Sequence, residues 1–197
     1  MIGKELTGGI EEHTGALAPK KEKPIFFDET SVRAIFAGVK TQTRRAFHLP
    51  ESQIENLAGA TLKGWHPCYQ PGDILWVRET WGVGIQAAGG IIFRADYAGK
   101  KAPLAEGHKW RPSLIMPRHA ARIFLRVTDV KVERLQDISE CDAIAEGLED
   151  ATNYTPSENI GRFVDFWNNF NLKRGYGWDT NPWVWAYTFE RIRDTDK

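Results

Sequence analysis

The sequence predicts an α+β fold, in which five to six strands form a small mixed β-barrel and two to three short helices plug its ends. Three observations support this prediction: the helical patterns are short, the strand patterns fall at irregular spacing, and strands and helices do not alternate regularly. With 197 residues and 42% hydrophobic content, the chain can bury one sizeable core, so we expect a single domain.

The start of the chain differs in composition from the rest. Residues 1–23 mix Gly, Thr, Glu and Lys without periodicity and end in APKKEK. Such a segment buries too little apolar surface to offset the entropy of ordering it. We therefore expect a flexible leader over residues 1–23 and the single domain over residues 24–193.

A short amphipathic helix opens the domain and leads into a basic segment. In ETSVRAIFAG the apolar residues follow helical spacing, Thr30 or Ser31 is the candidate N-cap, and Gly38 is the predicted stop. The segment GVKTQTRR begins where this helix ends, and it brings one Lys, two Thr and two Arg into eight positions.

Apolar runs that follow turn signals predict the strands. In QPGDILWVRETW, Pro71 and Gly72 predict a turn before a strand from Ile74. GGIIFRADY indicates another strand, and RPSLIMPR indicates a short extended piece between two prolines. In ARIFLRVTDVKVERL the apolar positions change parity, which predicts a long strand with a bulge or bend near Thr128 and Asp129.

Two helices and one strand complete the predicted fold. DISECDAIAEGL predicts a helix with Ser139 as N-cap, Asp142 completing a capping box and Gly147 as the stop. A second helix is expected over roughly residues 159–170, with Phe170 on its apolar stripe. NPWVWAYTFERI predicts a final strand. One face of that strand carries four aromatic residues: Trp183, Trp185, Tyr187 and Phe189.

The charge of the chain limits its possible functions. The formal net charge is zero, which argues against the bulk electrostatic adhesion of a very basic nucleic-acid binder. The distribution is uneven, because five cations and no carboxylate lie over residues 107–128, whereas residues 133–158 carry eight carboxylates and one cation. This segregation predicts either one basic face for a polyanion or an uneven surface of no functional meaning.

Compartment and cofactors follow from the same composition. The chain has no long apolar run and no signal-peptide core, so we expect a cytoplasmic protein with no membrane partner. Cys68 and Cys141 are too few for a disulfide framework and are expected to be reduced thiols. The five histidines lack metal-ligand spacing, so neither a metal nor another cofactor is expected. No oligomeric state is predicted.

Two familiar motifs are incomplete in this sequence. A P-loop requires G-x-x-x-x-G-K-[ST] after a strand, but Val39 and Ala34 occupy the glycine positions and GVKTQTRR follows a helix. HPCYQ lacks both the second Cys of P-C-x-x-C and a preceding H-x-E, which argues against a zinc deaminase.

Lys40, Thr43 and Glu146 are the candidate catalytic residues. A Thr hydroxyl beside a desolvated amine is a workable nucleophile and base pair, because burial lowers the pKa of a lysine. Glu146 is expected in the last turn of its helix, where a carboxylate opposes the helix dipole, and it could pass a proton to a leaving amine. On spacing alone, a solvated basic turn explains GVKTQTRR better than a catalytic loop.

Further residues are candidates for substrate binding. The basic segment supplies Thr41, Arg44 and Arg45, and Trp81 or Trp110 could stack on a base. If the protein is instead a non-catalytic binder, arginines of the basic stretch would contact phosphates. They are Arg118, Arg122 and Arg126.

Four separated segments of the chain resemble the ASCH domain, the PUA-like β-barrel of bacterial, phage and coactivator proteins. The segments are AIFAGVKTQTRR, YQPGDILWVRE, RLQDISECDAIAEG and the aromatic pattern W-x-W-x-x-x-F-E, and they span the chain from about Pro24 to Ile192. The chain most resembles the phage-type members with Trp-rich insertions.

The resemblance implies a protein that binds RNA or a modified nucleoside. Small bacterial ASCH proteins include amidohydrolases that remove the acetyl group from N4-acetylcytidine, and ribonuclease activity is attributed to other members. In the amidohydrolases a G-x-K-T-x-T-x-R loop supplies a catalytic Lys and Thr. Lys40 and Thr43 match these two residues, Arg45 matches the loop arginine, and Glu146 matches a Glu in the helix after the long strand.

The chain also departs from the compact enzymes that it resembles. It is much longer, with a polar insertion from His48 to Tyr69 and a longer region around Gly99 to Trp110. These insertions could reshape the pocket for a larger ligand. The sequence therefore predicts an ASCH-type protein for RNA or a modified nucleoside, with three alternatives: an N4-acylcytidine amidohydrolase, a non-catalytic binding module, or a ribonuclease.

Overall fold

The computed structural model describes residues 21–48, 66–85, 90–148 and 153–193. The predicted leader up to residue 20 and residues 49–65 of the predicted insertion lie outside these ranges. In chain order the elements are β1 (Glu22–Phe26), α1 (Glu29–Phe36), β2 (Gln42–Ala46), β3 (Ile74–Arg78), β4 (Trp81–Val83), β5 (Ile91–Phe93), β6 (Phe124–Arg134), α2 (Glu140–Ala145), α3 (Pro156–Asn171) and β7 (Trp183–Ile192). The predicted α+β class is confirmed.

The strands form a five-stranded sheet in the order β1-β3-β6-β7-β2 and a separate pair, β4-β5. β1 is parallel to β3, and the other neighbours are antiparallel. The predicted closed barrel is not found among the described strands, because β1 and β2 are edge strands that no ladder joins. A side chain spans this gap instead: the Arg45 guanidinium donates to the carbonyl oxygen of Phe26 at 2.9 Å.

The predicted bulge in β6 is confirmed and decides which face its second half presents. Val127 pairs with Phe189 and Asp129 pairs with Thr188, so Thr128 is an extra residue in the ladder. One extra residue reverses the facing of every later side chain. As a result, Glu133 pairs with Val184 of β7, and Arg44 pairs with Ala186 of the same strand. Val184 and Ala186 lie on the same face of β7, so Glu133 can reach Arg44.

The first helix begins earlier than expected. Asp28 is the N-cap of α1, and its carboxylate accepts hydrogen bonds from the backbone N–H groups of Thr30 and Ser31, each at 3.2 Å. The prediction of Thr30 or Ser31 as the cap is therefore wrong, because a carboxylate just upstream is a better acceptor for these donors. The stop at Gly38 is confirmed by its left-handed φ of 76°.

The sheet is covered on two sides by apolar clusters. One cluster joins α1 to the strands, and its members include Val32, Ile35, Leu75, Val77, Val127 and Phe189. The other joins α2 and α3 to the opposite face of β7, and its members include Ala143, Phe163, Trp167 and Val184. Burial of this apolar surface fixes the helix ends beside the edge strand β2.

The last helix is longer than predicted and is strongly capped. α3 starts at Pro156, with a full capping box between Thr155 and Glu158, instead of at residue 159. Phe163 and Trp167 are buried as expected, but Phe170 is 49% exposed. The apolar stripe continues past the core cluster, so Phe170 lies on the rim of the cavity described below.

The segments around the smaller sheet are more tightly turned than predicted. RPSLIMPR forms two 3₁₀ turns, Ser113–Ile115 and Arg118–Ala120, instead of an extended piece. Each turn follows a proline, Pro112 or Pro117, whose fixed φ favours the start of a helical turn.

Three further properties concern the described residues only. No helix among them is both long and apolar enough to cross a bilayer. Cys68 and Cys141 are exposed free thiols. Within the same ranges no group of three or more His, Cys, Asp or Glu residues is arranged to hold a metal ion.

Candidate functional site

A cavity of about 450 Å³ opens between the end of β1, the edge strand β2 and helix α3. This volume lies within the range of about 300–1,000 Å³ that is usual for small-molecule sites. Charged and hydroxyl groups line it, among them Lys40, Thr43, Arg44, Arg45 and Glu146. Aromatic side chains also line it: Phe26, Phe27, Phe166, Trp167 and Phe170.

Lys40 enters the cavity from the turn between α1 and β2. Its backbone N–H donates to the carbonyl of Ala34 at 3.1 Å, which closes the end of α1. The next N–H, of Thr41, donates to the carbonyl of Ala145 at 2.8 Å and ties the segment to the end of α2. Because Lys40 precedes the strand, strand alternation does not separate it from Thr43, and both side chains line the cavity.

Lys40 and Glu146 form a buried ion pair in the cavity wall. The ammonium Nζ lies 2.9 Å from Glu146 Oε2 and also donates to the Glu146 carbonyl oxygen at 2.6 Å. Only 3% of Lys40 and 4% of Glu146 is exposed. Burial lowers the pKa of Lys40, and the charge of Glu146 opposes that shift. The rings of Phe27 and Phe166 lie 5.5 and 5.7 Å from the ammonium.

A glycine makes this contact possible. Glu146 is the C-cap of α2, and Gly147 follows with a φ of 104°, which confirms the predicted helix stop. A Cβ on Gly147 would lie 3.1 Å from the Cβ atoms of both Ala34 and Lys40. The ammonium of Lys40 at the helix end also offsets the unfavourable position of the Glu146 carboxylate against the helix dipole.

Arg44 binds the other oxygen of Glu146 and two more carboxylates. Its NH1 lies 3.2 Å from Glu146 Oε1, its Nε 2.8 Å from Glu133 Oε1 and its NH2 3.5 Å from Asp142 Oδ2. Gln42 joins this network through a 2.8 Å hydrogen bond to Asp142 Oδ1. Arg44 was predicted to bind substrate, but it is buried and its donors face carboxylates, so it holds Glu146 in position.

Thr43 and Arg45 share the opposite face of β2. They pair with Tyr187 and Trp185 of β7, and both line the cavity. In the part of the chain that the structure describes, no hydrogen bond occupies the Thr43 hydroxyl. The group is therefore available to a molecule in the cavity, although most of the residue is buried.

Several predicted binding residues lie away from the cavity. Thr41 is exposed and contributes backbone hydrogen bonds only. Trp81 is buried in the cluster under the smaller sheet, and Trp110 packs at 6.1 Å from the ring of Tyr97. Neither tryptophan lines the cavity, because both rings are used to pack the region around β4 and β5.

The basic stretch is largely neutralised by ion pairs. Each of the three arginines expected on phosphates lies 2.7 or 2.8 Å from a carboxylate contributed by another part of the chain. The pairs are Arg118 with Glu22, Arg122 with Glu79 and Asp96, and Arg126 with Glu190. These residues do not line the cavity.

Sequence reasoning missed the aromatic wall and one arginine. Phe26 and Phe27 stand next to each other at the end of β1, and this pair was the only local signal for the wall. Phe170 was assigned to the core because it shares the stripe of Trp167. Arg174 lies in the turn after α3, and this turn brings the residue to the cavity. The sequence carries no local signal that Arg174 lies there.

No protein-family profile and no curated protein sequence matches the chain. Solved structures resemble it, among them the following two. The ASCH domain from Lactobacillus crispatus JV V101 has a TM-score of 0.46 and 13% identity, and the match covers 88% of this chain and 80% of that domain. A DUF984 protein from Enterococcus faecalis V583 has a TM-score of 0.43 and 14% identity, and the match covers 88% of this chain and 76% of that protein. Similarity of this degree assigns neither an activity nor a ligand.

Proposed function

We propose that the cavity binds a modified nucleoside and that the protein hydrolyses an N-acyl amide on the base, with N4-acylated cytidine as the expected substrate. One observation carries the proposal. The buried contact of Lys40 with Glu146 lies in the wall of a cavity that the Thr43 hydroxyl also lines. The resemblance of the basic segment to the ASCH amidohydrolase loop adds the substrate class.

The aromatic wall suits a planar base. Phe26 and Phe170 both line the cavity and are 40% and 49% exposed, so part of each ring can contact a ligand. Stacking of a base on an aromatic ring contributes about 1–3 kcal/mol. In this proposal Phe26 and Phe170 take the stacking role that the sequence suggested for the tryptophans.

The first half of the reaction transfers the acyl group to Thr43. Burial lowers the pKa of Lys40, and transfer of one proton from its ammonium to the Glu146 carboxylate in contact with it gives a neutral amine and a carboxylic acid. Thr43 Oγ then bonds to the acyl carbon while its proton passes to Lys40 Nζ. The carbon–nitrogen bond breaks, and Glu146 gives its proton to the departing amine. An ester on Thr43, an ammonium and a carboxylate remain.

The second half returns the site to its starting state. After the same proton shift within the pair, a water oxygen bonds to the ester carbon and its proton passes to Lys40. The bond from carbon to Thr43 Oγ breaks, and Glu146 protonates that oxygen. The products are the free base amine and a carboxylic acid, and the Lys40–Glu146 ion pair is restored.

Mass spectrometry of N4-acetylcytidine turnover tests the proposal. We expect deacetylation by the wild type, and a loss of about 10²–10⁴-fold in kcat for Lys40→Met and Glu146→Gln. Thr43→Val should abolish turnover and form no acyl-enzyme. Thr43→Ser, which keeps the hydroxyl, should retain turnover and still form the acyl-enzyme. Lys173→Met, an exposed lysine outside the cavity lining, is the matched control. Absence of turnover in the wild type, or equal turnover in all variants, would contradict the proposal.

Binding without chemistry is the second candidate function, and one observation favours it. Lys40, Arg44 and Glu146 satisfy one another in the empty cavity, as groups with a structural role do. A protein that binds cytidine derivatives with equal affinity in wild type and Thr43→Val, without turnover, would support this function. No histidine lines the cavity among the described residues, and no contact there favours a ribonuclease.

A further inference from the structure

Two arginines stand together in the cavity lining. Arg45 comes from the edge strand β2, and Arg174 comes from the turn after α3. Both residues are exposed as a whole. Desolvation of the Arg45 guanidinium is the main cause that lowers the pKa of Arg45, and the positive charge of Arg174 lowers this pKa further. Two positive charges that act on each other therefore line the cavity.

The described residues leave both guanidinium groups without a carboxylate partner. Arg45 donates to the Phe26 carbonyl oxygen at 2.9 Å, and Arg174 donates to Asn171 Oδ1 at 3.4 Å. Each guanidinium has five N–H donors, so most of these donors remain available. This differs from Arg44 and from three arginines of the basic stretch, Arg118, Arg122 and Arg126, which pair with carboxylates.

The carboxylates in the cavity lining are already engaged. Asp28 accepts the backbone N–H groups at the start of α1, and Glu146 is held between Lys40 and Arg44. Neither forms an ion pair with Arg45 or Arg174, although the charge of Glu146 acts on Arg45 from a distance. An anion in the cavity would relieve the repulsion between these two arginines, and planar guanidinium groups are well suited to phosphate oxygens.

We propose that Arg45 and Arg174 form a phosphate subsite and that the ligand of the cavity is a nucleoside monophosphate instead of a free nucleoside. The inference rests on the proposed function in taking a nucleoside as the molecule that stacks on the aromatic rings. Ser113 and Thr80 also line the cavity. Both arginines are exposed residues, so the subsite contacts solvent.

A single nucleotide fits the observations better than an RNA chain. RNA binding requires a track of cations along several phosphates. Three arginines of the basic stretch, which could have formed such a track, are paired with carboxylates. The two arginines at the cavity form a compact site, and a volume of about 450 Å³ suits one small ligand.

Isothermal titration of cytidine and cytidine 5′-monophosphate tests the subsite without requiring turnover. We expect the monophosphate to bind the wild type about 10–100-fold more tightly than the nucleoside, as charge-assisted hydrogen bonds to one phosphate would give. Arg45→Gln and Arg174→Gln should each reduce this ratio severalfold, and the double variant should bring it close to one. Lys173→Gln, an exposed neighbour outside the cavity lining, should keep the wild-type ratio.

Three results would overturn the subsite. They are equal affinities for nucleoside and monophosphate, no detectable binding of the monophosphate, or a short oligoribonucleotide that binds more tightly than the monophosphate and depends on both arginines. Failure of the proposed hydrolysis would leave the affinity ratio intact. Turnover of N4-acetylcytidine with a ratio of one would instead retain the hydrolase and remove the phosphate subsite.

Discussion

Gly147 and Lys40 approach so closely that a Cβ on the glycine would lie 3.1 Å from the Cβ of the lysine. The closeness has two causes, the left-handed backbone of Gly147 and the packing of the turn after α1 against the end of α2. The glycine thus fixes the distance between the two charged groups of the cavity wall.

We predict that Gly147→Ala destabilises the protein by about 1–3 kcal/mol, because it adds both an unfavourable backbone conformation and a steric clash. Urea denaturation measures this free energy of unfolding. Gly161→Ala is the matched control, since Gly161 lies within α3 with nothing within 4 Å of its added Cβ. That variant should be stabilised by about 0.5–1 kcal/mol. A neutral Gly147→Ala would show that the close approach is not required.

Burial of Lys40 predicts a dependence of stability on pH. Its pKa is lowered from the ordinary value of 10.5, first by desolvation, with the charge of Glu146 opposing the shift. Between the two pKa values the unfolded chain binds more protons than the folded protein, so the free energy of unfolding rises with pH up to 10.5. Below the lowered pKa both states are protonated, and this dependence disappears.

The difference between Glu146→Gln and the double variant Lys40→Met/Glu146→Gln isolates this contribution, because the carboxylate that contacts Lys40 is absent from both proteins. From about pH 7 upward, where the remaining carboxylates are ionised in both proteins, the variant that keeps Lys40 should gain stability relative to the double variant. The gain cannot exceed about 1.4 kcal/mol per pH unit for one proton. Denaturant titrations across this range measure it, and a flat or falling difference would refute the assignment.

Arg44 should contribute more to stability than any exposed ion pair. Its removal leaves the buried Glu146 with one partner fewer and also releases Glu133, so we expect Arg44→Met to lose about 3–5 kcal/mol. Arg94 is a suitable comparison, because it is exposed and pairs with Glu29 at 3.0 Å. Arg94→Ala should cost less than about 1 kcal/mol. Similar losses for both variants in thermal and chemical denaturation would contradict the buried role of Arg44.

The corrected start of α1 can be tested directly. Asp28→Ala should destabilise the protein by about 0.5–2 kcal/mol, because two backbone N–H groups lose their acceptor. Thr30→Ala removes one of the two residues, Thr30 and Ser31, that the sequence offered as the cap, and it should change stability by less than about 0.5 kcal/mol. If Thr30→Ala proved the more damaging of the two, the observed cap would be incorrect.

Features that depend on neighbouring residues were predictable from the sequence. The parity change across Thr128 revealed the bulge, and Gly38 and Gly147 marked helix ends. The position of Glu146 against the helix dipole identified an unusual carboxylate, although its partner is 106 residues away. The structure brings Lys40 and Glu146 together, and their catalytic roles with Thr43 stay a prediction.

Features that arise from the assembly of the sheet were not predictable. The sequence indicated the strands but not which of them lie at the edges of the sheet. It therefore predicted a barrel, whereas no ladder joins β1 to β2 among the described strands. Arg118 looked available to a phosphate because its partner, Glu22, is 96 residues away in the sequence. Phe170 follows the same helical spacing as the core residues of α3. It is left uncovered because the sheet does not extend that far, which the spacing does not reveal.

The gap between the two edge strands has a consequence for any molecule that enters it. In the described residues, β2 has a ladder partner on one side only, and the cavity lies where the next strand of a closed ring would run. A ligand there would contact residues of both edge strands, which no backbone ladder joins. Because it would bind the folded protein and not the unfolded chain, its binding would raise the free energy of unfolding.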